Sequence, residues 1–314
     1  MSVKLKNIYF MSEDTFENTT VTDDALYAVE GSGEYLNKNG DTLTGILYAS
    51  DGSQFPVVNT AGAHNCVYRG KNLTNEYTLD EISEKIQAND WSDLYIGDYI
   101  EKTMTSSYGT ETVRWLFAGF DIYLNRGDTA LLKHHIAMIP EDCFATTSYM
   151  NSTNITTDSF HGSYMNTTVL PAYASALKDS SCFGSHVTTF RNLEADGVST
   201  SAASAAGAGW TGASNSWAWY DTSLTLLSEV QAYGANCFSS SGYDTGIKNQ
   251  QLPLFRLCPD KLVAGGGFSS SGRCSWWLAS VASSTYFCFV GDGGVANARV
   301  ASALYGVRPL FLFT

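Results

Sequence analysis

Short apolar segments, two helical stretches and long runs of small residues predict an α+β fold. A β-rich N-terminal segment (residues 1–60) precedes a larger domain (61–314). Three observations carry this. Bulky apolar blocks, Trp276-Trp277-Leu278, Phe287-Cys288-Phe289-Val290 and Val307-Arg308-Pro309-Leu310-Phe311-Leu312-Phe313, bracket polar segments near the C-terminus and read as core strands. Charged residues are only 16% of the chain, against 28 glycines and many Ser, Thr and Asn, which suits strands joined by loops. Thr78 with Glu81 three residues on fits a helix capping box, and Leu79, Ile82 and Ile86 then share a face. An apolar content of 44% is ample for a core, and 314 residues allow one large domain or two ordinary ones.

In chain order, residues 1–60 alternate in short segments (Val3 to Phe10, Ala25 to Val29, Leu43 to Tyr48) with few large apolar side chains. Alone they bury little, so pairing with further copies or with a neighbouring protein is expected. Asn39-Gly40 is a favourable two-residue hairpin turn. The larger domain begins with the Thr78 helix. Trp91 to Ile100 reads as strand and turn, Val113 to Phe120 as a buried strand, and Tyr164 to Leu177 as a second helix. Asp196 to Ser216, Ser239 to Gln251 and Gly265 to Gly272 are Ser/Ala/Gly-rich or polar and read as loops. Between the last apolar blocks, Gly291 to Tyr305 shows neither helical nor strand period and reads as a surface platform on a rigid frame.

The formal charge of −13 argues against a nucleic-acid partner, which needs clustered Lys and Arg. No apolar run is long enough for a bilayer and no charged-then-apolar leader is present, so neither membrane insertion nor ordinary export is expected. Cys66, Cys143, Cys182, Cys237, Cys258, Cys274 and Cys288 are dispersed, with no C-x-x-C pair. Free buried thiols are expected, with Cys274–Cys288 the first candidate for a single bridge. Adjacent His134 and His135 would point to opposite faces of a strand, so a structural role with one ring hydrogen-bonded in the core is expected, not a metal site. His64, His161 and His186 are isolated and read the same way. Asp121 and Arg308 are single charges beside apolar strands, expected to be paired and to serve the fold. No phosphate loop, nucleophile elbow or convergent carboxylate pair appears, so no catalytic residue, metal or cofactor is expected.

The frame W-W-L, S-T-Y-F-C-F-V, G-V-A, A-S and G-V-R-P-L-F resembles the variable region of proteins diversified by retroelements, which carry a C-type lectin fold of the formylglycine-generating-enzyme type. R-G-K-N-L, L-Y-I-G-D-Y, F-D-I-Y-L-N and H-H-I-A-M-I-P resemble the body of a gut-bacteriophage family, and the two resemblances together span about four fifths of the chain. Asn39 to Gly45 is similar to the G-D-T-x-T-G element of phage tail fibres, which are usually trimers. Such retroelements mutate template adenines, so an Asn codon ending in a pyrimidine can become anything but Lys, Glu, Gln, Met or Trp. None of these types occurs from Leu278 to Thr314. The calcium motifs of C-type lectins, E-P-N, Q-P-D and W-N-D, are absent.

The resemblance implies a variable region of 278–314 and diversified, ligand-binding positions at Ser283, Tyr286, Gly291, Gly293, Asn297, Ala298, Arg299, Val300, Ala303 and Tyr305. Tyr286, Arg299 and Tyr305 are expected to anchor a ligand, with Trp210 nearby, and replacing Arg299 or Tyr305 should leave the fold intact. The implied function is a phage receptor-binding protein, homotrimeric, held to other tail proteins by its N-terminal segment, and binding a bacterial surface protein or glycan. It would reside in the virion after assembly in the host cytoplasm. A bacterial surface adhesin, an oxidase using a reactive thiol pair and a purely structural tail component are the alternatives.

Overall fold

The capping box forms as its spacing predicts. Glu81 N–H donates to Thr78 Oγ1 at 3.2 Å and Thr78 N–H donates to the Glu81 carboxylate at 2.7 Å, opening helix α1 (Leu79–Gln87). Ile82 and Ile86 are buried on its inner face and Leu79 is half-buried. The structure, a computed structural model, describes residues 7–12, 25–30, 59–198, 205–206, 209–210, 214–239, 250–266 and 272–314.

The chain divides into two compact units, Met1–Asn59 and Thr60–Thr314. In the first, strands β1 (Asn7–Ser12) and β2 (Ala25–Glu30) pair in parallel, from Asn7 opposite Ala25 to Ser12 opposite Glu30. The hairpin expected at Asn39-Gly40 and the segment Leu43 to Tyr48 lie outside the described residues.

The second unit is α+β. Its largest sheet runs through β3 (Tyr99–Ser106), β4 (Gly109–Phe120), β5 (Ile136–Pro140), the short strands β6 (Val187–Thr188) and β9 (Thr225–Leu226), and the terminal strand β13 (Pro309–Phe313). All pairings are antiparallel, in the order β9–β13–β5–β4–β3, with β6 also on β13. Every residue of β13 and of β5 is buried, because both strands lie inside the sheet and are covered on both faces. The last strand in sequence is therefore central in space.

The expected second helix divides into a wide π turn, Met165–Val169, and helix α2 (Leu170–Leu177). Pro171 sits in the first turn, where its missing N–H is tolerated. The expected loop from Asp196 to Ser216 needs correction at both ends. Strand β7 (Phe190–Val198) and strand β8 (Ser214–Thr222) pair there as an antiparallel ribbon, and small residues hid the strand continuation. Two shorter helices follow, α3 (Glu229–Tyr233) and α4 (Pro253–Leu257).

The motif residues Arg69 and Asp98 prove to be one ion pair, with the carboxylate buried and the guanidinium half-buried. Asp98 is fully buried and accepts from Arg69 Nε at 3.0 Å, from an Arg69 terminal nitrogen at 2.7 Å, and from the N–H groups of Lys71 and Tyr95. Burial nevertheless raises its pKa, with the Arg69 hydrogen bonds opposing. Asp121 is paired as expected, with His134 Nδ1 2.7 Å from its carboxylate.

Arg308 departs from the expectation of a charge pair. It is fully buried, and among the described residues it forms no ion pair. Its Nε donates to the Pro140 carbonyl at 2.9 Å, one terminal nitrogen donates to the Lys261 carbonyl at 2.8 Å, and the guanidinium lies 5.0 Å from the Trp276 ring centroid. Burial pulls its pKa down to about 10. Carbonyl dipoles and an aromatic face take the place of a counter-ion.

Candidate functional site

The apolar blocks that bracket the expected platform form strands β10 (Trp276–Val281) and β11 (Tyr286–Val290), and Trp276, Trp277, Phe287, Cys288, Phe289 and Val290 are all buried. A third strand, β12 (Ala296–Val300), corrects the expectation that Gly291 to Tyr305 lacks strand structure. It pairs with β11 at the edge of a three-stranded sheet, and its burial alternates half-buried and exposed. Short, small side chains had concealed that period.

The two connections are built by residues expected to bind ligand. Ser283 is buried, and its hydroxyl accepts the N–H groups of Thr285 at 3.3 Å and Tyr286 at 3.1 Å, shaping the β10–β11 turn. Gly291 is also buried. Its N–H donates to the Val295 carbonyl and its carbonyl accepts from Gly294 N–H, both at 2.8 Å, closing the β11–β12 turn. These two positions are turn architecture, not contact surface. Gly293 is exposed, and a Cβ there would meet nothing within 4 Å.

The register divides the remaining positions between two faces. Tyr286 lies opposite Val300 and Cys288 opposite Ala298, whereas Phe289 lies opposite Asn297 and Phe287 opposite Arg299. By the pleat, Tyr286, Ala298 and Val300 share one face and Asn297 with Arg299 the other. A single flat platform carrying all ten side chains is thus not what forms. Asn297 and Arg299 are exposed, and Ala298, Val300, Ala303 and Tyr286 are half-buried.

Tyr305 joins the Asn297–Arg299 face. Its ring packs 4.5 Å from that of Phe289 and 4.9 Å from that of Trp277. Burial raises its phenol pKa, opposed by the nearby Arg299 guanidinium and reinforced by the Asp292 carboxylate. Tyr305 is therefore partly a packing residue, against the expectation that it could be exchanged freely. Val295 and Leu304 are exposed apolar side chains on the same hairpin and its following turn.

Sequence reasoning missed the segment that supports this hairpin from the other side. Tyr305 bridges to Ser148 in antiparallel fashion, Thr156 Oγ1 donates to the Ser283 carbonyl at 2.8 Å, and Asn154 accepts from both the N–H and the hydroxyl of Ser302. These partners are more than a hundred residues away, and a polar run such as Ser148 to Thr156 carries no local signal of them. Trp210 lies in a two-residue strand, Gly209–Trp210, paired with Ala205–Ala206, and its side chain lies outside the described residues.

All seven cysteines are free, as expected, but only Cys143, Cys182, Cys274 and Cys288 are buried while Cys66 is exposed, and the candidate Cys274–Cys288 bridge does not form. Cys274 instead hydrogen-bonds with Cys143. That contact lowers the Cys274 thiol pKa and raises that of Cys143. Both sulfurs crowd Gly306, where a Cβ would lie 2.5 and 2.6 Å from them. Cys288 lies by Glu229, and burial raises its thiol pKa. Glu229 itself is fully buried and accepts the N–H groups of Cys237, Phe238 and Ser239. Among the described residues, no three His, Cys, Asp or Glu side chains are grouped to hold a metal ion. No helix of the described residues is long and apolar enough to cross a membrane.

No family model matches the chain, and neither curated proteins nor solved structures return a match.

Proposed function

We propose that this chain is the receptor-binding protein at the tip of a phage tail fibre, with a C-type-lectin-like domain whose terminal hairpin is the ligand surface. The binding is non-covalent adhesion to a bacterial surface protein or glycan, with hairpin side chains varied by a retroelement. The N-terminal unit joins the chain to other tail proteins and to two further copies. Three weak sites held together raise avidity through high effective concentration.

One observation carries this reading. On β12, Asn297 and Arg299 are exposed while their cross-strand partners, Phe289 and Phe287, are buried in the core. Side chains on this edge can change chemistry without disturbing the frame beneath them.

The test uses fluorescently labelled chain on a panel of gut bacterial isolates. Asn297→Tyr and Arg299→Ala should reduce adsorption at least tenfold on the isolate bound best, with melting temperature unchanged. Tyr305→Ala should lower adsorption and also cost about 2 kcal/mol of stability, from its two ring contacts. Unchanged adsorption in both β12 variants would reject the hairpin as the binding surface. Flanking DNA with a reverse-transcriptase gene and a near-copy of codons 278–314 would separately test diversification.

The oxidase reading draws on one feature, the Cys143–Cys274 contact. Rapid alkylation of Cys274 in the native protein would favour it, and protection until unfolding would favour adhesion.

A further inference from the structure

Away from the terminal hairpin, a cavity of about 320 Å³ opens between helix α2 and the β7–β8 ribbon. Its volume is that of a compact small-molecule site. Leu170, Pro171 and Ala174 line one side and Leu224 the other, so part of the wall is aliphatic.

The polar part is organised around Glu194, which is 1% exposed on β7. Its carboxylate accepts from Asn166 Nδ2 at 3.1 Å and Asn192 Nδ2 at 3.2 Å, and lies 2.9 Å from His161 Nδ1. With the carboxylate as acceptor, Nδ1 carries the proton in that contact. The His161 ring stacks on Tyr220 with centroids 3.5 Å apart and planes 14° from parallel. Tyr220 is held in turn by donating its hydroxyl to Asp196 at 3.0 Å. The imidazole is thus fixed in orientation and tautomer, and Nε2 is left as the ring nitrogen without a partner among the described residues. Such support is more than a surface histidine requires.

Two threonine hydroxyls of the wall are also left as acceptors. Thr167 donates its hydroxyl hydrogen to the Ser163 carbonyl and Thr222 donates its own to the Leu224 carbonyl, so each offers lone pairs. Among the described residues no Lys or Arg lines the space, and Glu194 and Asp221 do, which disfavours an anionic ligand. A cation is poorly matched too. Glu194 is already met by three donors, and Asp221 pairs with Arg191. A ligand that donates hydrogen bonds, carries no charge and has an aliphatic side fits both parts of the wall.

We propose that this cavity binds one ring of a neutral polyhydroxylated ligand, a monosaccharide unit that is either free or the end of a glycan. Its hydroxyl hydrogens meet His161 Nε2 and the threonine oxygens, and its C–H face lies on Pro171 and Leu224. The site uses none of the hairpin residues and stands independently of their role.

Calorimetry and saturation-transfer NMR on the full chain test this with glucose, galactose, mannose and N-acetylglucosamine, their methyl glycosides, and methylammonium as the cationic comparison. At least one sugar should bind saturably. Binding only of the free sugars, or equally of the glycosides, separates the two sources. His161→Phe, which keeps the stack but removes Nε2, should weaken binding tenfold or more. Ala174→Phe, which fills the cavity from helix α2, should abolish it, and Arg299→Ala should leave it unchanged. The proposal falls if no sugar saturates, if methylammonium binds and the sugars do not, if both cavity variants bind like the parent, or if Arg299→Ala removes the sugar signal.

Discussion

His135 shows how one side chain ties folding to pH. It is fully buried, its Nε2 accepts Tyr123 N–H at 3.0 Å, and its Nδ1 lies 3.1 Å from the Lys133 carbonyl. Burial pulls its pKa from 6.5 down to about 4. The folded imidazole stays neutral while the unfolded chain binds a proton, so this contribution is complete above pH 6.5. It is lost as pH falls towards 4, by roughly 3 kcal/mol across the window. His135→Gln keeps a donor and an acceptor but cannot titrate. Denaturant titrations should show its unfolding free energy falling less than the parent's between pH 7 and 4.5, and parallel curves would refute the assignment. Adjacent His134 sets its Nδ1 2.7 Å from the Asp121 carboxylate, which also accepts the His135 backbone N–H at 2.9 Å; both histidines precede β5, so the strand alternation expected of them does not apply.

At the scale of elements, the β11–β12 turn separates what must be conserved in shape from what can vary. Gly294 has φ +81°, in the left-handed region, and a Cβ there would lie 3.3 Å from Val263 Cγ2. Gly293, one residue earlier, has open space around it. Gly294→Ala should therefore cost about 1 kcal/mol or more, while Gly293→Ala should be neutral or slightly stabilising. Thermal melts of the two variants check this, and equal losses would mean that the turn is not as described. Ser283 belongs with Gly294, because its hydroxyl holds the preceding turn. Only Ser283 is among the positions where exchange was expected; its hydrogen bonds to backbone N–H groups restrict it, whereas Gly294 is restricted by its left-handed φ.

At the scale of the molecule, β13 places the end of the chain in the middle of the largest sheet, with Phe311 opposite Met138 and Leu312 opposite both Ala137 and Thr188. The hairpin before it is thereby anchored at both ends, by buried β10 and buried β13. Residues 60–314 carry their own core and should fold alone, with a cooperative melt close to that of the full chain. A chain ending at Gly306 lacks the central strand and should not give a cooperative melt. A cooperative transition in the shorter chain would show that β13 is not integral.

The capping box at Thr78, the buried strand from Val113 and the apolar blocks around Trp276 and Phe287 were legible in the sequence, since each rests on residues within a few positions of one another. The same holds for the mixed α+β class. Tertiary structure alone decided that Ser283 and Gly291 are turn residues, that Asn297 and Arg299 face away from Tyr286, that Cys274 meets Cys143, and that His161, Glu194 and Tyr220 converge on a cavity. Side-chain type and spacing report local geometry, whereas these contacts are set by strand register and by which distant segments pack together. The Thr156 hydroxyl, for example, reaches a carbonyl 127 residues further along the chain.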